Sequence, residues 1–118
     1  MFKILIAEDD EVNRYFISFL LRALSKDILT DVNGIEAVNI SKANPDLSLV
    51  LMDINMPEMD GSQAMKEIRK IRPKLPMIAV TAYGINFDNE NLLEAGFDDY
   101  LAKPYTRDQL LGKILKHL

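Results

Sequence analysis

Cysteine and tryptophan are absent from this chain of 118 residues, and histidine occurs once. Without cysteine, disulfides, thiol nucleophiles and thiolate metal sites are excluded outright. No apolar stretch approaches the ~20 residues needed to span a bilayer, and the first apolar run starts too close to Met1 to leave room for a signal peptide. Cytoplasmic residence is the expectation. There is no basic excess either: the formal charge is −4 with acids and bases interspersed. That balance offers no basic face for nucleic acid and no polybasic stretch for an anionic membrane. No repeat, low-complexity segment or linker divides the chain, which is long enough for a single core and too short for two. One domain over residues 1–118 must carry the function.

What the chain does have is a regular alternation of short apolar runs and segments of helical period. Such alternation predicts repeated βα units and a parallel sheet. The first strand is expected over Lys3 to Ala7, followed by a helix capped by Asp10. Its apolar positions Val12, Phe16, Phe19, Leu20 and Leu24 are expected on one buried face, widened by Tyr15 and Ala23. A short second strand, Asp27 to Thr30, is poor in large apolar residues and suits a sheet edge. Asn33 and Glu36 resemble a capping box for a helix to about Ala43, which Pro45 closes. The run Leu47 to Met52 is apolar except for Ser48, the mark of a strand covered on both faces. A loop from Ile54 to Met59 leads to a helix opened by Asp60 and Gly61, with Ala64, Met65, Ile68 and Ile71 inward. Pro73 and Pro76 separate it from a fourth strand ending at Thr81. A short helix near Asn89 to Ala95 stops at Gly96, and a fifth strand runs about Asp99 to Ala102. Thr106 and Gln109 form a capping box for the last helix, with Leu110, Leu111, Ile114, Leu115 and Leu118 apolar. His117 lies in its final turn, where a cation suits the helix dipole.

Four of these strands end in residues suited to phosphate or metal chemistry: Glu8 and Asp9, Asp53, Thr81, and Lys103. In open parallel sheets ligands bind outside the carboxyl ends of the strands, so these residues are expected to converge. Only the second strand lacks such a residue, which places it at an edge and favours the flavodoxin-like order 2-1-3-4-5. Glu8, Asp9 and Asp53 brought together would repel, and one Lys103 cannot neutralise three carboxylates. A divalent cation can, and hard oxygen ligands suit Mg²⁺, which typically bridges to a phosphate. Asp53, alone at the end of the most buried strand, is the best nucleophile candidate, since a carboxylate can form an acyl phosphate. Thr81 and Lys103 could each bind a phosphoryl oxygen. Taken singly, each residue has a plainer explanation as a helix cap, a strand terminus or a solvated charge. Met52, Met56 and Met59 read as packing.

The combination resembles the receiver domain of two-component response regulators over the whole chain. The matching residues are Ile-Ala-Glu8-Asp9-Asp10, Leu-Met-Asp53-Ile-Asn55-Met56-Pro57 followed by Asp60-Gly61, Thr81-Ala82 and Lys103-Pro104. Glu8-Asp9-x-x-x-Asn13-Arg14 with Asn33-Gly34-x-Glu36-Ala37 looks most like receivers attached to hybrid sensor histidine kinases. The resemblance implies that Asp53 accepts a phosphoryl group from a phosphohistidine of a sensor kinase or histidine phosphotransfer protein. It implies that Asp9, Asp53 and the Asn55 backbone carbonyl ligate Mg²⁺, that Glu8 acts mainly through bridging water, and that Lys103 pairs with a phosphoryl oxygen. The peptide bond to Pro104 is expected cis, at modest energetic cost for an X-Pro bond. Thr81 and Tyr100 would form the switch, with Ala82 leaving a path to Asp53. The surface of the fourth helix, fifth strand and fifth helix would then change for a downstream protein. Asn55 and Tyr83 occupy positions that tune acyl phosphate lifetime in that family.

Four other functions compete with this one. A haloacid dehalogenase-like phosphatase also uses Asp, Mg²⁺, a hydroxyl and Lys at strand ends, but its second Asp, two residues after the nucleophile, is Asn55 here. A receiver-like scaffold that works without phosphorylation would lack the acceptor Asp or the Lys. FMN binding fails for want of a Ser/Thr/Gly-rich loop after the first strand, and nucleotide hydrolysis for want of a Gly-x-x-x-x-Gly-Lys loop.

Overall fold

The computed structural model describes residues 2–24, 27–54, 56, 58–81 and 89–118. Five strands and five helices alternate: β1 (Lys3–Ala7), α1 (Glu11–Leu21), β2 (Asp27–Asp31), α2 (Gly34–Ala43), β3 (Leu49–Asp53), α3 (Gly61–Ile71), β4 (Met77–Thr81), α4 (Asn89–Ala95), β5 (Asp99–Ala102) and α5 (Arg107–Lys116). The strands are parallel in the order β2-β1-β3-β4-β5. This is the flavodoxin-like order, and β2 ends one residue later than its apolar content suggests. No helix among the described residues is long and apolar enough to cross a membrane.

Side chains of successive strand residues point to opposite faces, so the apolar runs supply two cores at once. Leu5 and Ala7 of β1 with Val50 and Met52 of β3 face α2, α3 and α4, where Ala37, Ala64, Ile68 and Leu92 are buried. Ile4, Ile6, Leu49 and Leu51 face α1 and α5, where Ile17, Leu21, Leu110 and Ile114 are buried. Every residue of β3 and β4 is buried, as their uninterrupted apolar sequences require of strands covered on both faces. Met52 and Met56 are buried and Met59 packs against the first core, so these methionines do serve packing.

The helix ends follow the sequence closely. Asp10 accepts from Val12 N, and Asn33 accepts from Glu36 N, but the expected box at α2 is only half made, since the Glu36 side chain does not return the bond. At α5 Thr106 and Gln109 exchange both bonds of the capping box; Asp60 and Gln63 do the same at α3, a box not anticipated from the sequence. Gly96 takes φ +132° just past α4, the left-handed conformation that glycine adopts without strain.

The burial of α1 differs from expectation. Ile17, Leu20 and Leu21 are its buried residues, whereas Val12 is 75% exposed, Tyr15 68%, Phe16 47% and Phe19 59%. Ala23 is exposed as well. This helix carries two apolar stripes, and periodicity cannot tell which one a sheet will cover. Ile71 and Leu115 are likewise on the outside of α3 and α5.

Two glycines differ in what surrounds them. A Cβ on Gly61 would lie 2.4 Å from Asp53 O and 2.7 Å from Ile54 Cα, so glycine is what lets α3 start against the end of β3. Gly112, inside α5, has nothing within 4 Å of the same position. Gly61→Ala is expected to destabilise the fold by about 1–3 kcal/mol through overpacking. Gly112→Ala is expected to stabilise it by about 0.5–1 kcal/mol through helix propensity. Urea unfolding of the two variants checks both signs.

Candidate acidic site at the strand ends

The site is assembled by strand termini held in register. Asp53 closes the central strand opposite Val80 of β4, and Ile54 N donates to Val80 O at 3.1 Å. Glu8 follows β1, and its N donates to Asp31 O of β2 at 3.1 Å. Lys103 follows β5, its N donating to Thr81 O at 2.8 Å, and its peptide bond to Pro104 is cis. These backbone bonds leave the side chains of Glu8, Asp9, Asp53 and Lys103 at one end of the sheet.

Glu8, Asp9 and Asp53 each offer a carboxylate oxygen, all within 4.8 Å of one another. Lys103 Nζ lies 2.8 Å from Glu8 Oε1 and 3.3 Å from Asp53 Oδ2. Glu8 and Asp53 are buried and Asp9 is exposed. Burial, then the adjoining Asp53, pushes the Glu8 carboxyl up to about 7, against the opposing pull of Lys103. For Lys103 burial acts against the charged form, but Glu8 and Asp53 outweigh it and hold the ammonium above its usual range. One ammonium therefore does not balance three carboxylates, and the raised carboxyl of Glu8 reflects the negative charge left over. A hard divalent cation would relieve it, and the oxygen donor set fits one. Thr81 is fully buried beside this cluster, with no hydrogen-bond partner for its Oγ1.

Residues 4–115 match the response regulator receiver domain family. The chain belongs to that family. It is 35% identical over 97% of its length to the sensor histidine kinase GacS of Pseudomonas protegens, of which it spans 13%. It is 38% identical over 97% of its length to the CpxR-homologous transcriptional regulatory protein of Haemophilus influenzae, of which it spans 49%. The chain thus covers less than half the length of either relative. Among solved structures, it superposes with a TM-score of 0.88 and 37% identity on the receiver domain of sensor histidine kinase PA1611 from Pseudomonas aeruginosa, covering 98% of this chain and 95% of that one. That structure has a magnesium ion coordinated in its active site cleft. The protein is accordingly a receiver of two-component signalling.

The receiver brings Glu8, Asp9, Asp53 and Lys103 together as the sequence leads one to expect. Asn55, Ala82 and Tyr83 lie outside the described residues. Tyr100 is half-buried on edge strand β5 and packs against the core covered by α2, α3 and α4, with Lys113 Nζ 5.0 Å from its ring centre. Three features were not anticipated. Arg14 Nη1 donates to the Glu8 carbonyl at 2.8 Å and to the Asp9 carbonyl at 3.4 Å. Asp31 is buried with neither carboxylate oxygen hydrogen-bonded, and burial with the charge of Glu36 pushes it up to about 7. Asp99 accepts from Lys113, His117 and Tyr100 N; although burial acts against its charge, these donors draw its carboxyl down to about 2. Only a charged residue at an otherwise apolar strand position could have drawn attention to Asp31 in the sequence. His117 is the C-cap of α5, so it joins a hydrogen bond to Asp99 with the dipole role expected of it.

Glu8 and Asp31 take up protons on folding, because their native pKa values stand above those of the unfolded chain. Metal-free protein is therefore expected to lose stability as pH rises from about 4.5 to about 7, the interval between the ordinary and the raised Glu8 values. Asp99 acts the opposite way, its contribution being lost as pH falls from 3.8 towards about 2. Thermal unfolding at pH 5 and pH 7.5 with chelator reads the first effect; equal stability at both would contradict it.

Proposed function

We propose that this receiver is a phosphorylation-dependent signalling switch that takes a phosphoryl group from a phosphohistidine onto Asp53 with Mg²⁺. The observation that carries the reading is the position of Asp53, buried at the end of the central strand and within 3.3 Å of Lys103. An Asp53 carboxylate oxygen attacks phosphorus, the P–N bond breaks, and the electron pair stays on the imidazole nitrogen, which takes up a proton. The product is a mixed anhydride on Asp53. Asp9, Asp53 and the Asn55 backbone carbonyl would hold Mg²⁺, with Glu8 acting through bridging water. That ion supplies positive charge to the phosphoryl oxygens during transfer. Lys103 exchanges its contact with Glu8 for a phosphoryl oxygen.

The reaction is confined to the domain's own phosphotransfer and dephosphorylation. A phosphatase of the haloacid dehalogenase kind needs a second carboxylate two residues after the nucleophile, and Asn55 cannot move that proton. Thr81 Oγ1, buried and without a partner, is suited to donate to the new phosphoryl group. Its movement would admit Tyr100 behind it and change the surface of α4, β5 and α5 for a downstream protein. The coupling is limited by how differently the two arrangements bind the phosphoryl group.

The phosphodonor, a sensor histidine kinase or a histidine phosphotransfer protein in the cytoplasm, must reach Asp53 past the start of α1. Val12, Tyr15, Phe16 and Phe19 form an exposed apolar stripe at helical spacing there, suited to another helix.

With Mg²⁺, acetyl phosphate or beryllofluoride should modify the wild-type chain and leave Asp53→Asn unmodified; equal labelling of both, read by mass spectrometry, would remove Asp53 from the role. Phe16→Ser with Phe19→Ser should slow transfer from a phosphohistidine protein by about 10-fold or more, as for loss of buried anchors. The acetyl phosphate rate should stay unchanged. Equal slowing with both donors would place these residues in the fold and not in docking. Thr81→Ala should still accept phosphate, yet show weakened chemical-shift changes around Tyr100 on activation. Full-sized changes there would break the proposed coupling.

A further inference from the structure

The turn between β1 and α1 carries two of the three clustered carboxylates, and its own anchoring decides where they point. Its amide side is tied inward: Glu8 N donates to Asp31 O at 3.1 Å, and Asp10 N meets Glu8 Oε2 at 3.4 Å. Its carbonyl side is reached by Arg14, whose side chain runs back along α1 as helical side chains do. Nη1 donates to the carbonyls of Glu8 and Asp9, at 2.8 and 3.4 Å. Asn13 adds a bond to Asp10 Oδ2 at 3.1 Å, and Asp10 caps the helix at Val12 N.

The charge of Arg14 is the wrong one for this place. A guanidinium near a cation site opposes the cation by simple repulsion. The part of Arg14 that can help a cation is therefore its two carbonyl bonds, not its charge. Outer groups that fix the orientation of metal ligands commonly matter as much as this to metal affinity.

We propose that Arg14 is a positioning residue for the divalent cation, holding the Glu8–Asp9 backbone through its hydrogen bonds. The inference rests on the cation reading given above, and the sign of the effect separates it from electrostatics. If the bonds matter, Arg14→Met, which keeps length without donor or charge, weakens Mg²⁺ binding by about 10-fold. Arg14→Lys, which keeps a donor, recovers most of that loss. If only charge matters, Arg14→Met binds Mg²⁺ more tightly than wild type.

The test is calorimetric titration of the full chain with magnesium chloride, beside the rate of labelling by acetyl phosphate at saturating Mg²⁺. Weaker binding by Arg14→Met, rescue by Arg14→Lys and an unchanged saturated rate support the inference. Unchanged or tighter binding by Arg14→Met overturns it, and so does a saturated rate that falls in step with affinity, which marks general damage to the site. Wild-type protein that binds no Mg²⁺ would overturn the cation reading itself, before any variant is compared.

Discussion

Three carboxylates share one ammonium at the end of this sheet, and much of the structure follows from how that imbalance is held. A fold does not gather like charges without something to hold them, because each buried carboxylate loses hydration and repels its neighbours. Here the holding is done by backbone. Glu8, Asp53, Thr81 and Lys103 are placed by strand and turn hydrogen bonds that remain whatever the side chains' protonation. The site is therefore built before any cation or phosphoryl group arrives, and its strain is electrostatic. Lys103 relieves that strain only in part, and the Glu8 carboxyl stays raised beside Asp53.

The rest of the molecule serves this arrangement by stiffness. β3 is central and buried on both faces, so Asp53 ends a strand paired on both sides and covered above and below. Helix α3 begins against it at a distance that only Gly61 permits, closing the backbone around Asp53. At the far edge β5 is short, and Asp99 takes the Tyr100 N–H for itself while binding Lys113 and His117 of α5. That cluster fastens α5 to the edge strand, while Tyr100 keeps a half-buried ring beneath Lys113. The edge thus combines a fixed foot, Asp99, with a ring that is only half covered.

Legibility in the sequence divided along physical lines. Strands read well because buried parallel strands are short, apolar and cut off by polar residues, so β1, β3 and β4 have nearly the bounds their sequences imply. Helix starts read well too, since Asp10, Asn33 and Thr106 cap by bonds between near neighbours. The acidic cluster was legible from strand order alone. Side-chain bonds to backbone and between elements were not: Arg14 reaches back over one helical turn to the Glu8 carbonyl and His117 crosses to Asp99, and residue spacing names neither partner. Asp31 was hidden for another reason. A charged residue at a strand end looks like a solvated one until the helix above it is in place.

Helix α1 shows where a hydrophobic pattern ceases to be evidence about the core. With Val12, Tyr15, Phe16 and Phe19 on one side and Ile17, Leu20 and Leu21 on the other, it is apolar around much of its circumference. The sheet covers only one of these stripes, so the second is left in water at a cost of roughly 25 cal/mol for each Å² of apolar surface. A domain this small gains nothing in stability from that exposure. The same helix begins at the acidic turn and contributes Arg14 to it, so whatever covers the outer stripe also comes to rest beside Asp53. The residues that break the burial rule on α1 are thus the same ones that the proposed docking of a phosphodonor would cover.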